Sequence, residues 1–175
     1  MKRIAQFEQV RWEQFLADYT TTFPERSEAE IRAIYEGIKL PERATSGSAG
    51  YDFFAPEDIT IAPGNQALIP TGIRAKIEDG YVLMLFPRSG LGFKSRLQLN
   101  NTVGIIDSDY YHANNDGHIF CKLTNDSRDG KTVEIKAGTG MVQGIFLPFG
   151  ITEDDAVDNK RTGGFGSTTE KVETK

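Results

Sequence analysis

The sequence predicts an all-β domain, a sandwich or barrel, interrupted near its N-terminus by two helices. Three observations carry this. From Leu40 onward the apolar runs are short and each is closed by a turn signal, the texture of strands rather than helices. The chain holds 18 glycines and 7 prolines, enough for many tight turns. Helical spacing of apolar residues is confined to residues 11–37.

In chain order, Arg3 to Val10 reads as a short strand. Trp12, Phe15, Leu16 and Tyr19 then recur at i, i+3, i+4 and i+7, an amphipathic helix that Phe23-Pro24 breaks. Ser27 and Glu30 form a Ser-x-x-Glu capping box, and Ile31, Ile34, Tyr35 and Ile38 repeat the helical stripe up to a stop at Gly37. The two stripes of this helical hairpin either pack on the domain's own surface or face a protein partner. Strand-like runs follow at Ile59-Ile61, Gln66-Ile69, Ile73-Ile77, Tyr81-Phe86, Ile119-Leu123, Thr132-Ile135 and Val142-Leu147. Pro63-Gly64-Asn65 and Glu78-Asp79-Gly80 are turns, and Asp129-Gly130 reads as a hairpin turn between its flanking strands. Residues 1–150 are expected to form one domain, and the polar stretch after Gly150 a linker to a terminal arm over 151–175.

Composition excludes several function classes. Charged residues make up 26% and hydrophobic ones 38%, the range of a globular protein. A net charge of −5 argues against broad nucleic-acid binding, so an anionic substrate needs local arginines and a divalent cation. The single Cys121 cannot close an intramolecular disulfide, which fits a reducing, cytoplasmic setting. No apolar run approaches the ~18 residues of a membrane span. No apolar leader core follows Met1-Lys2-Arg3.

Five stretches can carry chemistry. In Asn101 to Tyr110 an apolar run containing Gly104 ends in Asp107-Ser108-Asp109. Gly104 suggests a bulge or a close backbone approach, and Asp107 sits where a strand emerges. Two readings stand for this segment: an Asp-Ser-Asp turn closing a hairpin, or a presented catalytic base. Pro87-Arg88-Ser89-Gly90-Leu91-Gly92 offers an arginine fork, a hydroxyl and glycine-freed amides, the groups a phosphate needs, or else a polar loop. Arg161 to Thr169 repeats those groups around Phe165, which can stack on a base; the alternative is an ordinary terminal tail. Asp52, between Tyr51 and Phe53, is a metal-side carboxylate or a turn cap. Gln143, near the start of a strand, is a buried polar partner or a ligand contact. His112 and His118 read as surface residues, and their spacing with Cys121 makes no metal pattern. Ser89 has no evident histidine partner, which argues against a Ser-His-Asp hydrolase.

Taken in this order, the five stretches resemble the five motifs of the trimeric deoxyuridine triphosphate nucleotidohydrolase (dUTPase) family. The motifs are Ala49-Gly50-Tyr51-Asp52-Phe53, Pro87-Arg88-Ser89-Gly90-Leu91, Asn101 through Tyr110, Gly138 through Gln143, and Arg161 through Thr168. The resemblance implies a distorted jelly-roll β-barrel, a homotrimer with shared active sites, and Mg²⁺-assisted hydrolysis of dUTP to dUMP and pyrophosphate. That reaction limits uracil incorporation into DNA and supplies dUMP for thymidylate synthesis. By resemblance, Asp107 activates the attacking water, and Arg88, Ser89, Gly90 and Gln143 hold the phosphates. Asp52 holds Mg²⁺ through water. Asn101, Gly104, Ile106 and Phe120 form the uracil pocket, with Tyr110 against the deoxyribose. From the arm, Phe165 covers the base, and Arg161, Gly166, Ser167 and Thr168 engage the outer phosphates.

The chain departs from the family pattern in four places. Gly140 stands where an arginine or lysine is common, and Thr169 where a glycine is usual. Tyr111 to Asp116 lengthen the tip before Gly117, and the helices over 11–37 lie outside the pattern. Two other functions stay open at this point. One is a dCTP deaminase of the same fold, which needs a glutamate near the base. The other is a regulatory protein that binds a partner through the helical hairpin.

Overall fold

The computed structural model describes residues 2–158. Four motif residues of the arm, Arg161, Phe165, Ser167 and Thr168, lie outside the described residues, as does Gly166.

Strand β1 (Ala5–Gln9) opens the chain. Helices α1 (Trp12–Thr22) and α2 (Glu28–Glu36) follow. The capping box starts α2: the Glu30 N–H donates to Ser27 Oγ at 3.3 Å, and the Ser27 N–H donates to Glu30 Oε2 at 2.8 Å. Both helical stripes turn inward. Val10, Phe15, Tyr19 and Ile31 form a small buried core, which Ile38 joins to the main one. The stripes therefore pack on the domain's own surface. Trp12 is half-buried at the margin, with the Arg32 guanidinium 3.5 Å from its ring centroid.

The remaining chain supplies β2 (Glu42–Arg43), β3 (Tyr51–Phe54), β4 (Ile59–Ile61), β5 (Gln66–Pro70), β6 (Ile73–Ile77) and β7 (Tyr81–Pro87). Helix α3 (Ser89–Ser95) comes next, then β8 (Leu97–Leu99), β9 (Gly104–Ile106) and a 3₁₀ turn over Ser108–His112. Strands β10 (Phe120–Asn125), β11 (Val133–Ile135) and β12 (Gly140–Pro148) complete it. Strand sequences alternate as a half-buried sheet demands: in β6, Ile73, Ala75 and Ile77 are buried while Arg74 and Lys76 face outward.

Among the described residues the strands form four sheets rather than one closed barrel. Their orders are β1-β6, β5-β10-β8, β11-β4 and β2-β3-β12-β7-β9. Among the described residues these strand pairings are all antiparallel. Phe53, Ile61, Ile69, Leu85, Leu99, Leu123 and Ile135 come from different strands yet share one buried core.

Three expectations need correction. Asp129-Gly130 does not close a hairpin, because β10 pairs with β5 and β8 while β11 pairs with β4. The chain changes sheets at that turn. The stretch after Pro87 is not an irregular loop: it winds into α3, with Arg88 as its extended N-cap. His118 is not a surface residue; it is 0% exposed and bonded at both ring nitrogens.

Candidate active site

Strand β9 adds to the edge of β7, with Gly104 opposite Leu85 and Ile106 opposite Leu83. A Cβ on Gly104 would stand 3.1 Å from Leu85 Cβ, so the glycine answers a side chain crossing from the neighbouring strand. No bulge is needed there; the register shift lies in β12, between Gly140 and Val142. Upstream, Thr102 has φ +67° and the Val103 N–H donates to the Asn101 carbonyl at 2.7 Å. That is a γ-turn with a positive φ at a β-branched residue, a strained conformation that packing must hold. It presents Asn101 at the rim.

Downstream, Asp107 is the extended N-cap of the 3₁₀ turn, and the Tyr110 N–H donates to its carbonyl at 3.2 Å. The Asp-Ser-Asp segment thus leads into a 3₁₀ turn and closes no hairpin. Tyr110 is buried, and its hydroxyl donates to the His118 carbonyl at 2.7 Å. Beyond it, Asp116 (φ 60°) and Gly117 (φ 68°) reverse the chain, with the His118 N–H donating to the Asn115 carbonyl at 3.0 Å. Glycine is required at 117: a Cβ there would lie 2.8 Å from Tyr111 Cα.

These elements enclose a cavity of about 670 Å³ between β9, the 3₁₀ turn and β10. Asn101, Gly104, Ile106, Asp107, Tyr110 and Phe120 all line it. The longer tip therefore leaves Phe120 facing the same space as Asn101. Lys122 also lines the cavity, and sequence reading missed it. The signal was there: two residues beyond Phe120 on a strand is the same face. Among the described residues, Asp107 is the one carboxylate in the lining, and no glutamate contributes to it.

A second cluster lies at the end of β7 and does not line the cavity. The Arg88 Nε stands 3.0 Å from Asp52 Oδ1, and Arg88 Nη1 donates to the Gly140 carbonyl at 3.0 Å. Gln143 is the cross-strand partner of both Asp52 and Phe86, and its Nε2 donates to the Pro87 carbonyl at 3.2 Å. A Cβ on Gly140 would meet Arg88 Nη1 at 2.6 Å. The absence of a side chain at 140 is what lets the guanidinium settle here. Ser89 and Gly90 occupy the first turn of α3, where backbone amides have no intrahelical acceptor.

Asp52, Arg88 and Gln143 thus stand together in this second cluster. Among the described residues, no three His, Cys, Asp or Glu side chains form a metal-binding group. Asp52 alone offers one carboxylate, which suits a cation that keeps its water shell and takes other oxygens from a phosphate ligand.

A family model for dUTPase matches residues 36–169. The chain belongs to the dUTPase family. The match leaves α1 and almost all of α2 outside the dUTPase pattern. The deoxyuridine 5′-triphosphate nucleotidohydrolase of Lactococcus lactis subsp. lactis (strain IL1403) is 45% identical over 135 residues, 75% of this chain and 89% of the relative. That of Hahella chejuensis is 40% identical over 139 residues, 75% of this chain and 87% of the relative. Among solved structures, the dUTPase from Streptococcus mutans superposes with a TM-score of 0.63 at 36% identity, covering 84% of this chain and 98% of its own. A dUTPase from phage phi11 of S. aureus matches with a TM-score of 0.62 at 22% identity, covering 90% of this chain and 98% of its own. At that identity it speaks for the dUTPase fold alone. That phage protein is described as coordinating a structural Mg(II) ion.

Proposed function

We propose that this dUTPase-family chain hydrolyses dUTP to dUMP and pyrophosphate in the cavity beside β9. The observation that carries this is the convergence of Asn101, Gly104, Ile106, Asp107, Tyr110 and Phe120 on one cavity. The segment Asn101 to Ile106 presents backbone amides and carbonyls to a base edge, and Tyr110 places a ring where a sugar would lie. Asp107 orients a water and takes its proton as the water oxygen attacks the α-phosphorus. The bond from that phosphorus to its bridging oxygen breaks, and pyrophosphate leaves with the electron pair. Positioning and charge neutralisation supply most of the rate, since a triphosphate repels anionic nucleophiles.

Arg88, Ser89, the Gly90 amide and Gln143 would hold the phosphates. The Arg88–Asp52 pair would open as the guanidinium exchanges a carboxylate for a phosphate, both of which fit its planar fork. When bound with the triphosphate, Mg²⁺ supplies neutralising charge, and Asp52 would hold it through its water shell. A homotrimer with shared sites fits the two separate clusters: the cavity of one subunit would meet the phosphate-binding cluster of another. Residues 1–150 would then be the catalytic domain. Residues 151–175 would be a linker and arm, with Phe165 over the base and Arg161, Gly166, Ser167 and Thr168 at the outer phosphates. A cytoplasmic location fits the single, buried thiol of Cys121, whose pKa burial pushes up to about 12.

The deaminase reading has no support in the cavity, because among the described residues its lining holds no glutamate. Asp107→Asn tests the leading one. Pyrophosphate release from dUTP is expected to fall by about 10³-fold or more, with dUTP still bound, since a positioned base is worth about 10²–10⁴ and its orienting role is lost too. Near-normal turnover in Asp107→Asn would remove Asp107 from the mechanism.

A further inference from the structure

The two departures nearest the site, the helical insertion and the lengthened tip, are joined to each other. The Arg11 N–H, at the start of α1, donates to Asp116 Oδ2 at 2.8 Å, and Arg11 Nε approaches Asp116 Oδ1 at 3.2 Å. Seven residues later on α1, Asp18 Oδ2 stands 2.6 Å from His118 Nδ1. His118 Nε2 accepts from the Gly72 N–H at 2.7 Å, so the neutral ring carries its proton on Nδ1 and donates it to Asp18. Both ring nitrogens of this 0%-exposed histidine are therefore committed.

The same residue holds the cavity wall. The His118 carbonyl accepts from the Tyr110 hydroxyl at 2.7 Å and from Asn115 Nδ2 at 3.2 Å. Asn115 Nδ2 also donates to the Tyr110 hydroxyl at 2.8 Å. The His118 ring packs on that of Phe120, with centroids 4.6 Å apart. Tyr110 and Phe120 both line the cavity. An aromatic ring anchored at its hydroxyl can exclude a 2′-hydroxyl; one that swings cannot.

We propose that the helical insertion braces the sugar check: Asp18 fixes His118, whose carbonyl and ring fix Tyr110 and Phe120. His118 and Asp18 are positioning residues, and discrimination between dUTP and UTP depends on α1. The proposal rests on reading the cavity as the nucleotide pocket. Asp107 follows directly on β9 and meets Tyr110 through the backbone bond from the Tyr110 N–H to its carbonyl, a contact the Asp18 variants leave in place, so the loss is expected at the Tyr110 ring rather than at the chemical step.

The test measures kcat and KM for dUTP and UTP in Asp18→Ala, Asp18→Asn and Tyr110→Ala, with Tm for each. Asp18→Ala is expected to raise KM for dUTP and to lower the dUTP/UTP ratio of kcat/KM about tenfold, the size of one lost buried hydrogen bond, while kcat for dUTP holds. Asp18→Asn keeps an acceptor for the Nδ1 proton and should restore the ratio, which a change of stability alone would not do. Should Asp18→Ala fail to fold, Asp18→Ser, too short to reach the ring, is read in its place. A wild-type ratio in the Asp18→Ala or Asp18→Ser protein, whatever its Tm, would overturn the brace. An unchanged ratio in Tyr110→Ala would overturn the pocket reading itself, and the brace with it. A changed ratio there with none in Asp18→Ala would overturn the brace alone.

Discussion

Glu8 shows how single residues around the tip set the protein's response to acid. Its carboxylate accepts from the Tyr111 hydroxyl at 2.7 Å and pairs with Arg74 at 2.8 Å. The Tyr111 hydrogen bond, and then Arg74, hold its pKa below the ordinary 4.5. The unfolded chain therefore binds this proton more readily than the folded one. The stabilisation is complete above the ordinary value and is lost as pH falls through the lowered one. Tyr111→Phe is expected to cost about 1 kcal/mol at neutral pH, and its gap to the wild type should close as pH falls through the lowered value. Thermal melts across that range check this; a gap constant with pH would contradict it. At this scale Asp107 and Tyr110 were legible because their motif is local. His118 was not, because a histidine in a polar stretch looks solvated, and its partner Asp18 lies 100 residues away in the chain. Thr102's positive φ was also hidden, since threonine carries no signal for it.

Among the elements, the helical hairpin was the easiest to read. Its two stripes and capping box are short-range patterns, and the structure keeps both. What the stripes face was less legible, since part of the cover comes from Gly72 and His118, far away in sequence. Phe15 stands at the centre of this contact, 0% exposed and 4.6 Å from the Tyr19 ring. Phe15→Ala is expected to cost about 3–5 kcal/mol in denaturant-induced unfolding, the usual loss for a fully buried phenylalanine. A cost under about 1 kcal/mol would mean that the insertion is not part of the cooperative fold. Most strand positions were legible, although β2, β3 and β8 were not read as strands, and strand partners were not legible at all. Asp129-Gly130 has hairpin chemistry and still joins strands of different sheets, because distant partners β5 and β4 claim β10 and β11. The stretch Pro87-Gly92 could be read as a loop because its two glycines disfavour helix, yet α3 forms over Ser89–Ser95 without a side-chain cap from Arg88.

For the whole molecule, the problem is charge. A chain of net charge −5 must accept a triphosphate. The cavity supplies Lys122, on β10, and the second cluster supplies Arg88, at the end of β7, and these strands belong to different sheets. Assembly of copies would bring them to one substrate, with Mg²⁺ as the further counter-charge. The selectivity claim needs no assembly data to be tested. Pyrophosphate release from dUTP, dTTP, dCTP and UTP, with and without Mg²⁺, reads the base pocket, the sugar check and the phosphate chemistry together. Release is expected from dUTP alone and is expected to fall when Mg²⁺ is chelated. Comparable release from UTP or dTTP, or none from dUTP, would contradict the account.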